Sequence, residues 1–202
     1  PPRSTLFPYT TLFRSEMMRP LALKLINDKN IKNNYRITIL DLPGFGASTE
    51  PDMDTDVFSY TCLIEEFLQA LKIKKPIMIG HSFGGRLSII YASRNETEKV
   101  ILFGAPCIRE YKPTFKEKVL KGLKKIPFTK DLVELAKQYI GSTDYKNASP
   151  VMRRVLVNTI NQDLSECATK ITAPSLLIWG TLDTAADRKS TRLNSSHITI
   201  SY

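Results

Sequence analysis

The sequence has little of what a metal site, a disulfide framework or a membrane anchor requires. Only two of its 202 residues are histidine, His81 and His197, and only three are cysteine. The odd number and the spacing of Cys62, Cys107 and Cys167 indicate reduced thiols of a cytoplasmic protein rather than disulfides or a metal site, and we expect Cys62 and Cys107 in or near the core. No apolar run reaches about 18 residues and no signal peptide is visible, so we predict no stable membrane insertion.

The two ends of the chain differ from everything between them. Residues 1–15, PPRSTLFPYTTLFRS, repeat a fragment of themselves and show no apolar periodicity. They resemble a common sequencing-library adapter, which read in frame encodes them without a mismatch, and the opposite adapter encodes residues 187–197 in the same way. We therefore expect residues 1–15 and 187–202 to be adapter-derived and residues 16–186 to be biological.

The charge balance does not favour nucleic acid as a partner. The formal net charge is +9, and leaving out the two ends removes five basic residues and one acidic residue, which gives +5. An excess of this size without a concentrated basic stripe is not typical of nucleic-acid-binding proteins. A hydrophobic content of 42% is ordinary for one globular domain. The sequence does not indicate an oligomeric state.

Short β-rich runs alternate with helical patterns, which predicts an α/β fold with a doubly wound, mostly parallel sheet. The predicted strands are Arg36–Leu40, Pro76–Gly80, Lys99–Gly104 and Ser175–Gly180. The predicted helices are residues 16–28, 57–72 and 83–94. In the second helix we expect one buried apolar stripe, formed by Val57, Tyr60, Ile64, Phe67, Leu68 and Leu71.

Residues 107–167 show helical periodicity but no convincing strand, and we interpret them as a helical cap insertion. Lysines surround one of its apolar faces, and they indicate either a solvated helix face or attraction to an anionic surface or acidic substrate. The core then consists of residues 16–106 and of residues 168–186, which hold the last predicted strand and an acidic loop.

The strongest chemical signal is PIMIGHSFGGRLSIIYAS, in which a strand runs through Gly80-His81-Ser82-Phe83-Gly84 into a helix. This is the context of a G-x-S-x-G nucleophile elbow, although the pattern alone also fits a tight glycine-rich turn. We expect a strained backbone at Ser82 and room only for glycine at Gly80 and Gly84. The backbone N–H of Phe83 would face an oxyanion, whereas His81, adjacent to Ser82, is expected to be structural.

Two further motifs follow strands at the same edge of the predicted sheet. Asp41 ends the first predicted strand and opens the turn LPGFGAS, and Asp183 follows the last one in SLLIWGTLDTAA. Asp183 lies where ligands bind in open parallel sheets and comes after the serine in the chain, so it is the candidate acid that orients a histidine. Alternatively Asp183 caps the next helix. Asp163 is a weaker candidate for the acid.

Together DLPGFGAS, GHSFGG and IWG with Asp183 resemble the α/β-hydrolase superfamily, in the branch of esterases, lipases, proline iminopeptidases and C–C bond hydrolases. The resemblance covers nearly all of residues 16–186. It implies that the parent protein cleaves an ester, amide or related carbonyl bond of a small-molecule substrate through an acyl-enzyme. Ser82 would be the nucleophile, Asp183 the acid and the Phe83 N–H an oxyanion donor, with no metal and no organic cofactor.

The catalytic histidine of such a protein is absent from residues 16–186. A parallel crossover of a dozen or more residues and a last strand must separate it from the acid, but His197 lies only fourteen positions after Asp183. The strand expected before residue 16, with its oxyanion loop, is also absent. We therefore predict an inactive internal fragment, of marginal stability, whose sheet has a gap between Arg36–Leu40 and Pro76–Gly80.

The alternative is a non-catalytic member of the same fold that uses its pocket to bind a small molecule or a partner protein. A catalytic parent must carry a histidine after its last strand, whereas a binding module need not.

Overall fold

A parallel sheet of six strands forms the centre of the computed structural model, which describes residues 3–9, 18–51, 55–105, 148–180 and 196–200. The strands lie in the order β2-β1-β3-β4-β5-β6, and every neighbouring pair is parallel. They are β1 (Arg3–Tyr9), β2 (Tyr35–Asp41), β3 (Ile77–His81), β4 (Lys99–Phe103), β5 (Ser175–Gly180) and β6 (Ser196–Ile200). The four predicted strands are present as β2, β3, β4 and β5, and the predicted parallel α/β fold is confirmed.

Helices connect these strands. They are α1 (Arg19–Asn27), α2 (Lys29–Asn34), α3 (Val57–Ala70), α4 (Phe83–Arg94), α5 (Pro150–Asn161) and α6 (Ser165–Thr169). The three predicted helices correspond to α1, α3 and α4. Side-chain caps satisfy free N–H groups at the N-termini of three helices, from Asp28 at α2, Asp56 at α3 and Ser149 at α5.

Two apolar clusters hold the layers together. In the smaller one, Met18 packs with Ile77 and Ile79 of β3, and residues of α1 and β2 lie against them. The larger cluster joins α3, α4, β4 and β5 with α5 and α6. The last part of the predicted cap therefore packs into the core. The rest of that cap, from residue 107 to residue 147, lies outside the described residues, and so does Cys107.

The predicted apolar stripe of α3 is correct along most of the helix and wrong at its end. Its fully buried members are Val57, Tyr60, Ile64 and Leu68. Phe67 is half-buried against the same cluster. Leu71 is 44% exposed, because it follows the last residue of α3 and no longer keeps the helical register. Cys62 is exposed rather than near the core, since it lies two positions from both Tyr60 and Ile64 and so points away from their face.

The sheet position at which the sequence predicts a gap is occupied by β1. This strand pairs with β2 from Arg3 to Tyr9 and with β3 at Thr5 and Leu6. A gap there leaves backbone donors and acceptors unpaired on two strands, and an extended segment satisfies them. Pro8 has no N–H to donate, although it lies in this central strand. The adapter origin of residues 1–15 and 187–202 stays a prediction.

None of the helices within the described ranges is long and apolar enough to cross a membrane.

Candidate active site

Ser82 lies between the end of β3 and the start of α4, with backbone φ 49° and ψ −112°. Among the residues that the structure describes, only Lys72 and Lys75 share a positive φ without being glycine. Such a conformation costs of order 1–3 kcal/mol and persists only where the surroundings enforce it. Hydrogen bonds fix Ser82 on both sides: its N–H donates to the carbonyl oxygen of Phe103 at 3.0 Å, and its own carbonyl accepts from the Arg86 N–H at 3.2 Å. This strand-to-helix turn has the geometry of a nucleophile elbow.

Glycines on both sides of the serine allow the turn to close. A Cβ on Gly80 would lie 2.4 Å from the carbonyl oxygen of Gly84 and 2.6 Å from the Cα of Gly85. The same Gly84 carbonyl oxygen accepts a hydrogen bond from the Ser88 hydroxyl at 2.9 Å. A Cβ on Gly85 would lie 2.3 Å from the Cβ of Ala105, just after β4. The start of α4 thus packs against β3 and the end of β4 with no space for side chains.

Phe83 is the first residue of α4, where a backbone N–H has no acceptor within the helix. The partial positive charge of the helix N-terminus is therefore available beside Ser82 to stabilise an anion. The Phe83 ring is buried and contacts two other rings, with centroid distances of 5.4 Å to Phe45 and 5.2 Å to Tyr60. We call Phe45, Tyr60 and Phe83 the aromatic cluster. It connects the start of α4 with α3 and with the turn after β2.

That turn, residues 43–46, is held by its own polar groups. The Asp41 carboxylate accepts from the Ala47 N–H at 3.3 Å, and the Ser48 hydroxyl donates to the Asp41 carbonyl oxygen at 2.7 Å. Gly44 and Gly46 have φ of 81° and 58°, which favours glycine at both positions. A Cβ on Gly46 would also overlap the Asp41 carboxylate at 2.4 Å. Asp41 therefore shapes the turn beside the candidate nucleophile.

Tyr60 fixes the same turn from the side of α3. Its hydroxyl donates to the Pro43 carbonyl oxygen at 2.7 Å, and the side chain is fully buried. Burial raises the pKa of Tyr60 above its ordinary value, and the negative charge of Glu50 adds to the effect. The phenol is therefore a neutral hydrogen-bond donor at physiological pH.

The candidate acid and the two histidines have different positions relative to Ser82. Asp183 follows β5, outside the described residues, whereas Gly180, the end of β5, is at the carboxyl edge of the sheet. His81 ends β3 next to Ser82 and is partly buried. His197 is in register with Leu177, three residues before Gly180, which places its backbone roughly 10 Å below that edge. In the described part of the chain no group of three or more His, Cys, Asp or Glu side chains could hold a metal ion.

Comparison with known families agrees with this geometry. The model of the family described as alpha/beta hydrolase fold matches residues 10–133, which is more than half of the chain. The chain belongs to the α/β-hydrolase family. The resemblance found in the sequence motifs is thereby confirmed.

Relatives of this α/β-hydrolase chain include hydrolases. An uncharacterized hydrolase of Bacillus subtilis (strain 168), YugF, is 26% identical over 179 residues, which cover 76% of this chain and 65% of that protein. A probable serine hydrolase of Drosophila melanogaster is 36% identical over 70 residues, 32% of this chain and 21% of that protein. The chain therefore spans less than two thirds of either relative.

A likeness to solved structures supports the fold. A bromoperoxidase from Bacillus anthracis superposes with a TM-score of 0.72 and 18% identity, over 100% of this chain and 84% of that one. At this identity the superposition concerns the α/β-hydrolase fold and not the activity.

Sequence reasoning missed three residues of this α/β-hydrolase site. Gly85 carried a usable signal, because it is the second of two consecutive glycines at a helix start. Tyr60 was assigned to the core, but its hydroxyl bond to the turn could not be foreseen from an apolar stripe. Arg86, whose side chain is buried beside the elbow, carried no signal at all, since a lone arginine on a helix is normally exposed.

Proposed function

We propose that this chain is the nucleophile-bearing part of a serine hydrolase that cleaves an ester, amide or related carbonyl bond of a small-molecule substrate. The observation that carries the proposal is the backbone of Ser82, a non-glycine residue with φ 49° between a buried strand and a buried helix. Strain of this kind persists only where the surrounding structure enforces it, and it gathers at functional sites, where it is part of the mechanism. Lys72 and Lys75 also have a positive φ, but they are exposed in the loop between α3 and β3, whereas Ser82 lies at the carboxyl end of a strand, where ligands bind in parallel sheets.

In the proposed mechanism the Ser82 Oγ attacks the carbonyl carbon while a histidine takes the hydroxyl proton. The carbonyl oxygen becomes an oxyanion, and the Phe83 N–H and the N-terminus of α4 stabilise it. The histidine then gives its proton to the leaving group as the bond to that group breaks, which leaves an acyl-serine. Water, deprotonated by the same histidine, hydrolyses the acyl-serine and restores Ser82. Asp183 orients the histidine and stabilises its protonated form.

We propose further that the histidine and the second oxyanion donor are encoded outside residues 16–186 of the parent gene, in a cytoplasmic protein. Both relatives described above are longer than the matched region and carry hydrolase in their names, which supports a parent of this class. The mechanism requires neither a metal nor an organic cofactor, because the chain's own groups and one histidine supply the nucleophile, the proton transfer and the oxyanion stabilisation.

The first test is to sequence the gene outward from primers within codons 36–180. The sequence before residue 16 should encode a strand pattern and a His-Gly, and the sequence after Ala186 should encode a helix pattern, a strand pattern and a histidine. The restored protein should then hydrolyse p-nitrophenyl acetate. Ser82→Ala should abolish this activity, whereas Ser93→Ala, which removes a hydroxyl from the far end of the same helix, should leave it unchanged. An equal rate for Ser82→Ala and the parent would reject the serine mechanism and favour a binding module.

A further inference from the structure

Arg86 is a charged residue in the first turn of α4 that is almost completely buried, with 7% of its surface exposed. Its backbone N–H donates to the carbonyl oxygen of Ser82, four residues earlier. Its guanidinium Nη2 donates to the carbonyl oxygen of Gln162, the C-cap residue that follows α5. Burial of a guanidinium is costly unless its donors are used. Arg86 therefore joins the backbone of the candidate nucleophile to an element far away in the chain.

The place at which Arg86 binds is the C-terminal end of α5. Carbonyl groups there lack partners within the helix, and the helix dipole makes this end negative. A buried cation that donates to the carbonyl oxygen of the capping residue is favourable on both counts. Arg86 thus fixes where α5 ends relative to the start of α4.

The other end of α5 is fixed at the turn after β2. Met152 is 2% exposed, and its sulfur lies so close to Gly44 that a Cβ there would be only 2.2 Å away. The neighbouring residue Phe45 belongs to the aromatic cluster and contacts the ring of Phe83. Phe83 directly follows Ser82. Contacts can therefore be followed from the elbow through α5 and the turn and back to the elbow.

We call this closed path the contact circuit. It runs through Gly44, Phe45, Phe83, Ser82, Arg86, Gln162 and Met152. A strained residue persists when the surrounding structure over-determines its conformation, and a closed path restrains Ser82 from two directions. The bond from the Arg86 guanidinium to the Gln162 carbonyl oxygen joins α4 to α5 on this path, so its removal should open the circuit at that point.

We infer that Arg86 is a positioning residue, which holds the nucleophile Ser82 at the N-terminus of α4 by clamping the first turn of that helix to the end of α5. This inference rests on the proposed function, since it concerns the position of the same serine. Loss of the clamp should let the first turn of α4 relax and move residue 82 away from the positive end of the helix.

The experiment uses the 202-residue chain and does not depend on catalysis. Ser82→Cys places a thiol at the nucleophile position, and its rate of alkylation by iodoacetamide is measured against pH by peptide mass spectrometry. A thiol at a helix N-terminus ionises at lower pH than a free thiol. Cys62, which is exposed on α3, serves as the internal standard in every sample. Arg86→Met, Arg86→Lys and Leu68→Ala are then combined with Ser82→Cys.

We expect Arg86→Met to move the midpoint of the alkylation profile to higher pH and to slow alkylation at pH 7 by about threefold or more. Arg86→Lys keeps the charge and one donor, so its midpoint should lie between those of Arg86→Met and the parent. If Arg86→Met does not fold, a midpoint of Arg86→Lys above that of the parent alone supports the inference. Leu68→Ala destabilises the core outside the contact circuit and should leave the midpoint where it was.

Two results would overturn the inference and are distinguishable. In the first, the thiol of Ser82→Cys has a low alkylation midpoint, and either both Arg86 variants leave it unchanged or Leu68→Ala shifts it as much as they do. Arg86 then does not position residue 82, and the proposed function is unaffected. If the midpoint in the presence of Arg86 already equals that of Cys62, the site does not activate a nucleophile, and the inference and the proposed function both fail.

Discussion

Gly80→Ala tests whether the elbow depends on the absence of a single methyl group. Gly80 has no positive φ, so the substitution changes sterics and not backbone preference. The added Cβ would lie 2.4 Å from the Gly84 carbonyl oxygen, 2.6 Å from the Gly84 carbonyl carbon and 2.6 Å from the Gly85 Cα. All three are backbone atoms of the first turn of α4, so no side chain can rotate away.

The expected cost follows from the kind of atom that obstructs the methyl group. Extra methyl groups in a packed core typically cost about 1–3 kcal/mol, because neighbouring side chains and backbone shift to accept them. Here β3 and α4 must separate, so we expect a loss of about 3 kcal/mol or more. Since small domains are stable by only about 5–15 kcal/mol, Gly80→Ala should remove a large fraction of the free energy of unfolding or expel Ser82 from its strained conformation.

Gly85→Ala is the matched control, because there the obstruction is a side chain. Its Cβ would lie 2.3 Å from the Cβ of Ala105, and the next contact, with the Gly80 carbonyl oxygen, is at 3.3 Å. Gly85→Ala alone should cost about 2–3 kcal/mol. Adding Ala105→Gly removes the obstruction. Alanine at position 85 then favours the helix by about 1 kcal/mol over glycine, which offsets the similar cost in backbone entropy of glycine at position 105. The exchanged pair should lie within about 1 kcal/mol of the parent.

Urea unfolding followed by tryptophan fluorescence measures these differences. Trp179 is the single tryptophan of the chain and is 3% exposed in β5, so its emission reports the core directly. A free energy of unfolding of Gly80→Ala within about 1 kcal/mol of the parent would refute this steric explanation. Failure of Ala105→Gly to rescue Gly85→Ala would refute it equally, because the contact with the Ala105 Cβ would then not be the source of the loss.

Three further predictions concern the turn, the phenol and the first strand. Tyr60→Phe should cost about 1 kcal/mol at pH 7 through the lost bond to the Pro43 carbonyl. Because burial raises the folded-state pKa of Tyr60, the stability that its protonated hydroxyl contributes is complete below about pH 10 and is lost as pH rises further. The urea midpoint of unfolding should therefore fall less steeply between pH 7 and 11 in the variant than in the parent. Gly44→Ala should destabilise a Met152→Ala variant by about 1 kcal/mol or more less than it destabilises the parent. In that background the overlap with the Met152 sulfur disappears, while the backbone strain of φ 81° remains. A double-mutant cycle without coupling would contradict this. Amide hydrogen exchange across Arg3–Tyr9 should be far faster than across β3, and equally slow exchange would argue against an adapter origin of this segment.

The regular elements were predictable because each is determined by a local pattern. Buried parallel strands are short apolar runs, and β3 and β5 are such runs ending in glycine or a glycine-containing turn. The crossover helices α3 and α4 carry apolar residues at helical spacing. The elbow was predictable for the same reason, since strand, Gly80, Ser82 and helix are contiguous in the sequence. After α3 ends at Ala70 the periodicity no longer applies, and the prediction failed for Leu71.

The contacts that hold the site were not predictable, because they join residues that no local pattern relates. The bond from Tyr60 to Pro43 spans 17 positions, and the bond from Arg86 to Gln162 spans 76. Pattern analysis assigns a residue to the core or to the surface, but it does not name its partner. It placed Tyr60 correctly in the core and missed the hydroxyl bond. For Arg86, charge alone predicts exposure, and its guanidinium bonds a carbonyl oxygen at the end of α5, which the local sequence does not indicate.

The same distinction decides what the motif G-x-S-x-G can establish. Its glycines make the conformation of Ser82 sterically possible, since a Cβ at Gly80 is excluded. They do not provide the interaction energy that keeps Ser82 at a φ of 49°. That energy must come from the packing around the turn, to which Phe45, Tyr60 and Arg86 contribute from outside the motif. A substitution of Arg86 or Met152 could therefore displace the nucleophile while every residue of the motif stays the same. For this reason thiol alkylation at residue 82, rather than the presence of the motif, is the decisive measurement of whether the elbow is competent.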